Sequence, residues 1–156
     1  MVDQDDDDLA EALQELLEHV VDALGLEATV DVEDDGEVCT GTVRGADLGL
    51  FIGRHGQTID AVQHLAQRAS AARAREGRRV VIDAEGYRER REGMLQRQAD
   101  QAAEDALRNG RPVALDAMTA SERRLVHEYL RDRVEVQTYS EGDEPDRHLV
   151  VAPLTG

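Results

Sequence analysis

The segment Leu50-Phe51-Ile52-Gly53-Arg54-His55-Gly56-Gln57-Thr58-Ile59 carries an apolar run into a glycine-flanked turn and out onto a new helix. Glycines at both ends permit a tight turn with unusual φ and let a backbone approach closely. A helix is expected from about Gln57 to Arg73, with Ile59, Val62, Leu65, Ala66 and Ala69 on an arc of about 120°. Its N-terminus offers free N–H groups and partial positive charge, which suit a phosphate. Arg54 adds a full charge and His55 a donor. The tetrapeptide alone is weak evidence, because Gly-x-x-Gly also marks ordinary turns before helices. Its setting has to decide.

Upstream, Leu9, Leu13, Leu16, Leu17, Val20 and Leu24 share one helical face, and Gly25 is a natural stop. Ala28, Val30 and Val32 alternate as a strand, and Asp34-Asp35-Gly36 reads as a hairpin turn. The next strand puts either Val38, Thr40 and Thr42 or Cys39, Gly41 and Val43 on the core side. Downstream, Val80, Val81 and Ile82 form a third strand that Glu85-Gly86 ends. The order is helix, strand, strand, glycine loop, helix, strand.

A charged helix over 87–108 follows, with a thin stripe of Leu95, Ala99, Ala102 and Ala106. Such a helix needs a neighbour to pack on, or it spans between modules. Asn109-Gly110 ends it and Pro112 opens a second unit. Val113 and Leu115 suggest a short strand. Thr119 and Glu122 have capping-box spacing for a helix from about Ala120 to Arg131. Val134 and Val136 begin a strand, Ser140 to Pro145 turns the chain, and Leu149, Val150 and Val151 make the last strand.

On the helix, Arg123 and His127 are one turn apart. The wheel reading puts Leu125, Val126, Tyr129 and Leu130 on an apolar arc, with Arg123, Arg124, His127 and Arg131 opposite as a basic stripe. Such a stripe can hold phosphates by charge while His127 donates or stacks. A plain solvated helix face is the competing reading.

Composition narrows the function classes. The net charge of −16 looks wrong for a nucleic-acid binder, but residues 1–37 hold 15 acids and no base. The remaining 119 residues carry 19 acids against 18 bases, all of them Arg. The acidic start reads as a solubilising tail or as a nucleic-acid mimic that competes for the basic stripe. One cysteine, Cys39, excludes an internal disulfide and fits a reducing cytoplasm. No apolar run approaches the roughly 18 residues of a membrane span. The five histidines lack metal spacing: His19 reads as a surface residue, His64 as a partly buried packing residue, and His148 follows Arg147 in the last strand. No nucleophile or acid–base constellation is evident, so no catalytic residue, metal or cofactor is expected.

Two resemblances join these readings. The stretch Leu50 to Ile59 closely resembles the signature of KH domains, and residues 9–85 follow the type II arrangement. The resemblance implies a loop of Gly53, Arg54, His55 and Gly56 that holds the backbone of about four nucleotides, with Ile52 and Ile59 in core and groove wall. Met118 to His127, with Thr138-Tyr139-Ser140-Glu141-Gly142-Asp143-Glu144-Pro145-Asp146-Arg147, resembles the R-3-H domain, named for its Arg-x-x-x-His. That family binds single-stranded nucleic acids. Arg147 either reaches the surface of Arg123 and His127 or serves as a structural ion-pair partner.

The pairing of the two domains resembles the bacterial Jag family, also called KhpB, without its N-terminal Jag domain. The fold expected is α/β (α+β): a disordered acidic tail over 1–8, a KH domain over 9–85, a connecting helix over 86–110 and an R-3-H domain over 111–156. The resemblance implies a cytoplasmic, non-enzymatic binder of single-stranded RNA, an RNA chaperone or post-transcriptional regulator linked to cell elongation, division or sporulation. It implies a small single-KH protein (KhpA-like) as partner, no small-molecule substrate and no membrane insertion. The competing classes are a protein-interaction adaptor with minor RNA contact, which few aromatic residues favour, a single-stranded DNA binder and a nuclease.

Overall fold

A computed structural model of the protein describes residues 4–71, 73 and 77–154. The chain divides into two compact units, 1–88 and 89–156.

The first unit begins with helix α1 (Gln4–Ala23). Leu9, Leu13, Leu17 and Val21 are its buried stripe. The helix starts ahead of Leu9, so residues 4–8, expected to be disordered, lie in its first turns. Residues 1–3 of that expected tail lie outside the described residues.

Strands β1 (Ala28–Asp34) and β2 (Val38–Gly45) form the hairpin. At its turn the Asp35 carboxylate accepts from the backbone amides of Val38 and Glu37, at 2.7 and 2.9 Å. These bonds hold the Asp35 carboxyl below the usual carboxylate range. The open question of β2 is resolved: Cys39, Gly41 and Val43 face the core. Gly41 is needed there, because a Cβ would run into Leu17 Cδ1 of α1. Short helix α2 (Gly49–Ile52) and one 3-10 turn (Arg54–Gly56) then lead into helix α3 (Gln57–Ser70). Strand β3 (Arg79–Ala84) returns parallel to β2, giving a sheet of order β1-β2-β3.

Helix α3 packs differently from its apolar reading. Ile59, Val62, Ala66 and Ser70 are buried, whereas Leu65 is 57% exposed and His64, expected to pack, is exposed. The inner arc is shared with Gln63, whose amide donates to Val80 O and accepts from Ile82 N at 2.6 Å. Gln63 thereby occupies polar groups of edge strand β3, and Leu65 lies outside the buried arc.

The second unit is built on helix α4 (Tyr87–Asn109), with its first two residues in the first unit. This helix, expected to connect, is a core element. Leu95, Ala99, Ala102 and Ala103 are buried against Met118, Val126, Leu130, Val136, Leu149 and Val151. Strands β4 (Val113–Ala117), β5 (Val136–Glu141) and β6 (His148–Pro153) form an antiparallel sheet of order β4-β6-β5. Helix α5 (Ala120–Leu130) follows β4. The expected capping box is present: Thr119 accepts from Glu122 N, and Glu122 accepts from Thr119 N. Glu122 also takes a forked contact from Arg91 at 2.7 and 3.3 Å, tying α5 to α4. Strand β5 starts two residues later than Val134, which is exposed, because a turn from Arg133 O to Val136 N intervenes.

Candidate nucleic-acid interface

The first candidate surface is the turn between α2 and α3. Gly53 ends α2 by donating to Gly49 O at 2.8 Å, and it sits at φ 74, ψ 177. That backbone region belongs almost only to glycine. His55 (φ 54) and Gly56 (φ 77) are both left-handed. Among the described residues no side chain caps α3; the Gln57 amide donates to Arg54 O, and the amides that follow it in the first turn of this 14-residue helix are the donors an anion could use. Arg54 is exposed beside them and His55 is half-buried.

The neighbours of this turn explain its shape. A Cβ on Gly53 would lie 2.8 Å from the backbone N of Thr58, and one on Gly56 would lie 2.8 Å from the Tyr87 hydroxyl. Asp60, in the first turn of α3, would repel a phosphate, but Arg88 pairs with it at 3.0 Å. Arg88 is itself fixed by donating to Ile82 O at 2.9 Å. Sequence reasoning missed Tyr87 and Arg88. They reach the turn because β3 ends beside it, and no local spacing announces that.

The second candidate surface lies on α5. Arg123 is not on the far side of this helix. It precedes Leu130 by seven residues, two helical turns, and therefore shares the inner face with Val126 and Leu130. Its side chain is 10% exposed and pairs with Glu144, which is 59% exposed. The guanidinium donates to Met118 O and to the Glu144 carboxylate, each at 2.7 Å. Arg123 thus braces the start of α5 against the β5–β6 loop.

His127, one turn on, is exposed, and its Nδ1 contacts Thr138 Oγ1 of β5. Arg124 is exposed and pairs along the helix with Glu128 at 3.1 Å. Arg147 is half-buried and donates to Gly142 O at 2.7 Å. An open depression of about 460 Å³ brings together Arg123, Arg124, His127 and Arg147 with Thr138, Tyr139 and Ser140. Arg131 is exposed just past the helix and does not line it. Thr138, Tyr139 and Ser140 were quoted above only as part of a motif. Their place in the depression follows from the pairing of β5 with β6, which a single sequence does not display.

Among the described residues no His/Cys/Asp/Glu group has the arrangement of a metal site. Among them, no helix is long and apolar enough to cross a membrane.

A helix-flanked mixed sheet with a Gly-x-x-Gly turn, followed by an Arg-x-x-x-His helix on a three-stranded sheet, defines a two-domain nucleic-acid-binding protein of the KH and R-3-H classes. The family model described as "KhpA/KhpB, KH domain" matches residues 10–83, and the model of the R-3-H domain matches residues 93–153. Three proteins named RNA-binding protein KhpB are similar. The one from Lactiplantibacillus plantarum is 40% identical over 141 residues, 90% of this chain and 44% of that protein. The one from Clostridium symbiosum is 35% identical over 140 residues, 88% of this chain and 63% of that protein. The one from Bacillus subtilis is 30% identical over 138 residues, 87% of this chain and 66% of that protein. The chain belongs to the KhpB family, and it spans about half to two thirds of the length of these relatives. Its two domains are binding domains rather than enzymes.

Proposed function

We propose that this protein binds single-stranded RNA through the sugar–phosphate backbone at two places and acts in the cytoplasm as an RNA chaperone or post-transcriptional regulator. The observation that carries the reading is the turn at Gly53–Gly56. It leads into a start of α3 that no side chain caps among the described residues, beside an exposed arginine, with the nearby Asp60 charge offset by Arg88. The name of the similar proteins points the same way. The depression on the second unit supplies a weaker contact through Arg124, His127 and Arg147, in which Arg123 positions rather than touches. Two weak contacts on one chain raise the overall affinity above either alone.

The test is binding of a labelled mixed-sequence RNA of about 15–20 nucleotides across a salt series. Affinity should fall with salt at a slope near −0.7 per phosphate neutralised. Arg54→Asp/His55→Asp should abolish most binding, and Arg124→Ala/His127→Ala should weaken it in part. Salt-independent or absent binding by the wild type at low salt rules the reading out. Labelled single-stranded DNA in the same series separates RNA from DNA preference.

A second reading, an adaptor for a protein such as a small single-KH partner, is favoured by one observation. Leu50 and Leu65 of the first unit are 64% and 57% exposed. Under that reading, substituting both by Ser abolishes partner capture and leaves RNA affinity unchanged.

A further inference from the structure

We propose that Thr138 is a positioning residue for His127, its hydroxyl holding the ring by Nδ1 so that Nε2 is presented, as a proton donor, to a phosphate of the bound strand. The inference rests on the reading of the depression as a nucleic-acid contact. It concerns Thr138, which the sequence offers only as one residue of a longer motif stretch.

His127 lies on the exposed side of α5, where an imidazole has several rotamers open to it. Thr138 belongs to a different element. Its backbone is fixed in β5 opposite Val151 of β6, and Val151 is fully buried. As a β-branched residue it also has few χ1 states. Its hydroxyl is therefore a rigid post, and it meets His127 at Nδ1. The ring is held across an α5–β5 contact rather than within its own helix.

The chemistry of the two partners fits the task. A ring nitrogen's protonation is set by the bond the other nitrogen makes. A phosphate oxygen only accepts, so Nε2 has to carry a hydrogen when it meets one. In the neutral ring this requires Nδ1 to accept, and the Thr138 hydroxyl can donate to it. In the imidazolium Nδ1 donates, and the same hydroxyl can accept. A carboxylate at this position could only accept, and would favour the opposite tautomer of the neutral ring. An amide would need a flip to serve both states. The hydroxyl serves both by turning about its own C–O bond, and Arg124 and Arg147 in the same depression provide the charge that brings the phosphate there.

A double-mutant cycle on the full chain tests the role, with the same labelled RNA at one low salt concentration. Thr138→Val keeps the shape and removes the hydroxyl. It should weaken binding about three- to tenfold, the range of one lost hydrogen bond. Thr138→Ser keeps the hydroxyl and should stay within about twofold of wild type. In a His127→Ala background, Thr138→Val should cost nothing further. If it costs as much there as in the wild type, Thr138 acts by itself and the inference fails. Thr138→Ala is the second variant should valine upset the sheet, with unfolding midpoints as the control. Nitrogen-15 NMR of the free protein gives a readout without RNA. The neutral His127 ring should show Nε2 protonated and Nδ1 hydrogen-bonded, and Thr138→Val should change the Nδ1 signal. An unchanged signal overturns the inference outright. A changed signal with no RNA binding by wild type sinks the phosphate-directed role together with the reading beneath it.

Discussion

The two candidate contacts are built on opposite principles. In the first unit the candidate site is made of backbone: two glycines in conformations that side chains resist, a helix start with no side-chain cap among the described residues, and one exposed arginine. In the second it is made of side chains on regular elements: Arg124 and His127 on a capped helix, Thr138 on a strand, and Arg147 in a half-buried position. A backbone site depends on one geometry and fails as a whole. A side-chain site loses its contributions one at a time. The difference also separates two meanings of a signature residue, since Gly53 shapes the site itself whereas Arg123 holds the site's support.

The sharpest way to break this comparison is Gly53→Ala. The alanine would have to hold φ 74, ψ 177 with its Cβ 2.8 Å from Thr58 N. A loss of about 3 kcal/mol is expected, read by urea unfolding. Gly25→Ala is the control. Gly25 is also at positive φ, 66, but among the described residues nothing lies within 4 Å of a Cβ there, so about 1 kcal/mol is expected. Equal losses would mean that the turn is not specially shaped. Cys39, the chain's one cysteine, reports on the same unit. Burial first, and then the neighbouring Asp34 carboxylate, push its thiol up to about 11. The folded thiol then keeps its proton while the unfolded one, ordinarily near 9.0, loses it. The stability this contributes is complete below pH about 9 and is lost as pH rises through about 11. At pH 8 wild-type Cys39 should resist iodoacetamide, Gly53→Ala should speed its alkylation by well over tenfold, and Gly25→Ala by far less.

What could be read in advance follows the same division. The turn at Gly53–Gly56 was legible because its determinants are contiguous, as was the capping box of Thr119 and Glu122. The core role of α4 was not, because its buried stripe is mostly alanine. Alanine signals little hydropathy, yet its size allows close helix packing. The face of β2 depended on Leu17 lying over Gly41, a tertiary contact. The inward position of Arg123 was available from its seven-residue offset to Leu130, and the charge of the side chain obscured it. Its partner Glu144 lies in the β5–β6 loop, and Thr138, the partner of His127, lies on β5, both distant from α5 along the chain.

Arg123→Ala sharpens the comparison from the other side. It removes two hydrogen bonds at 2.7 Å and leaves Met118 O, within the fold, without that donor. Glu144 is largely solvated and tolerates the loss. The expected cost is about 2 kcal/mol of stability, with Cys39 alkylation unchanged, because Cys39 and Arg123 belong to different units. Arg123→Lys should recover little, since a point charge cannot donate in two fixed directions as the guanidinium does. A variant as stable as wild type that still lost RNA binding would return Arg123 to the role of a phosphate ligand.

The smallest effect should come from Arg124→Ala. Its side chain is 80% exposed and, among the described residues, pairs along its own helix with Glu128. Exposed pairs of that kind contribute about 0.3–0.5 kcal/mol, so the unfolding midpoint should hardly move. The salt dependence of RNA binding should still change. Removing one charge that neutralises a phosphate flattens the slope by about 0.7, and the affinity loss should shrink as salt rises. The signature is specific to a charge contact: a variant that merely disturbed the fold would weaken binding alike at every salt concentration. A slope equal to that of wild type would place Arg124 among the solvated residues of α5. The second contact would then rest on His127 and Arg147 alone.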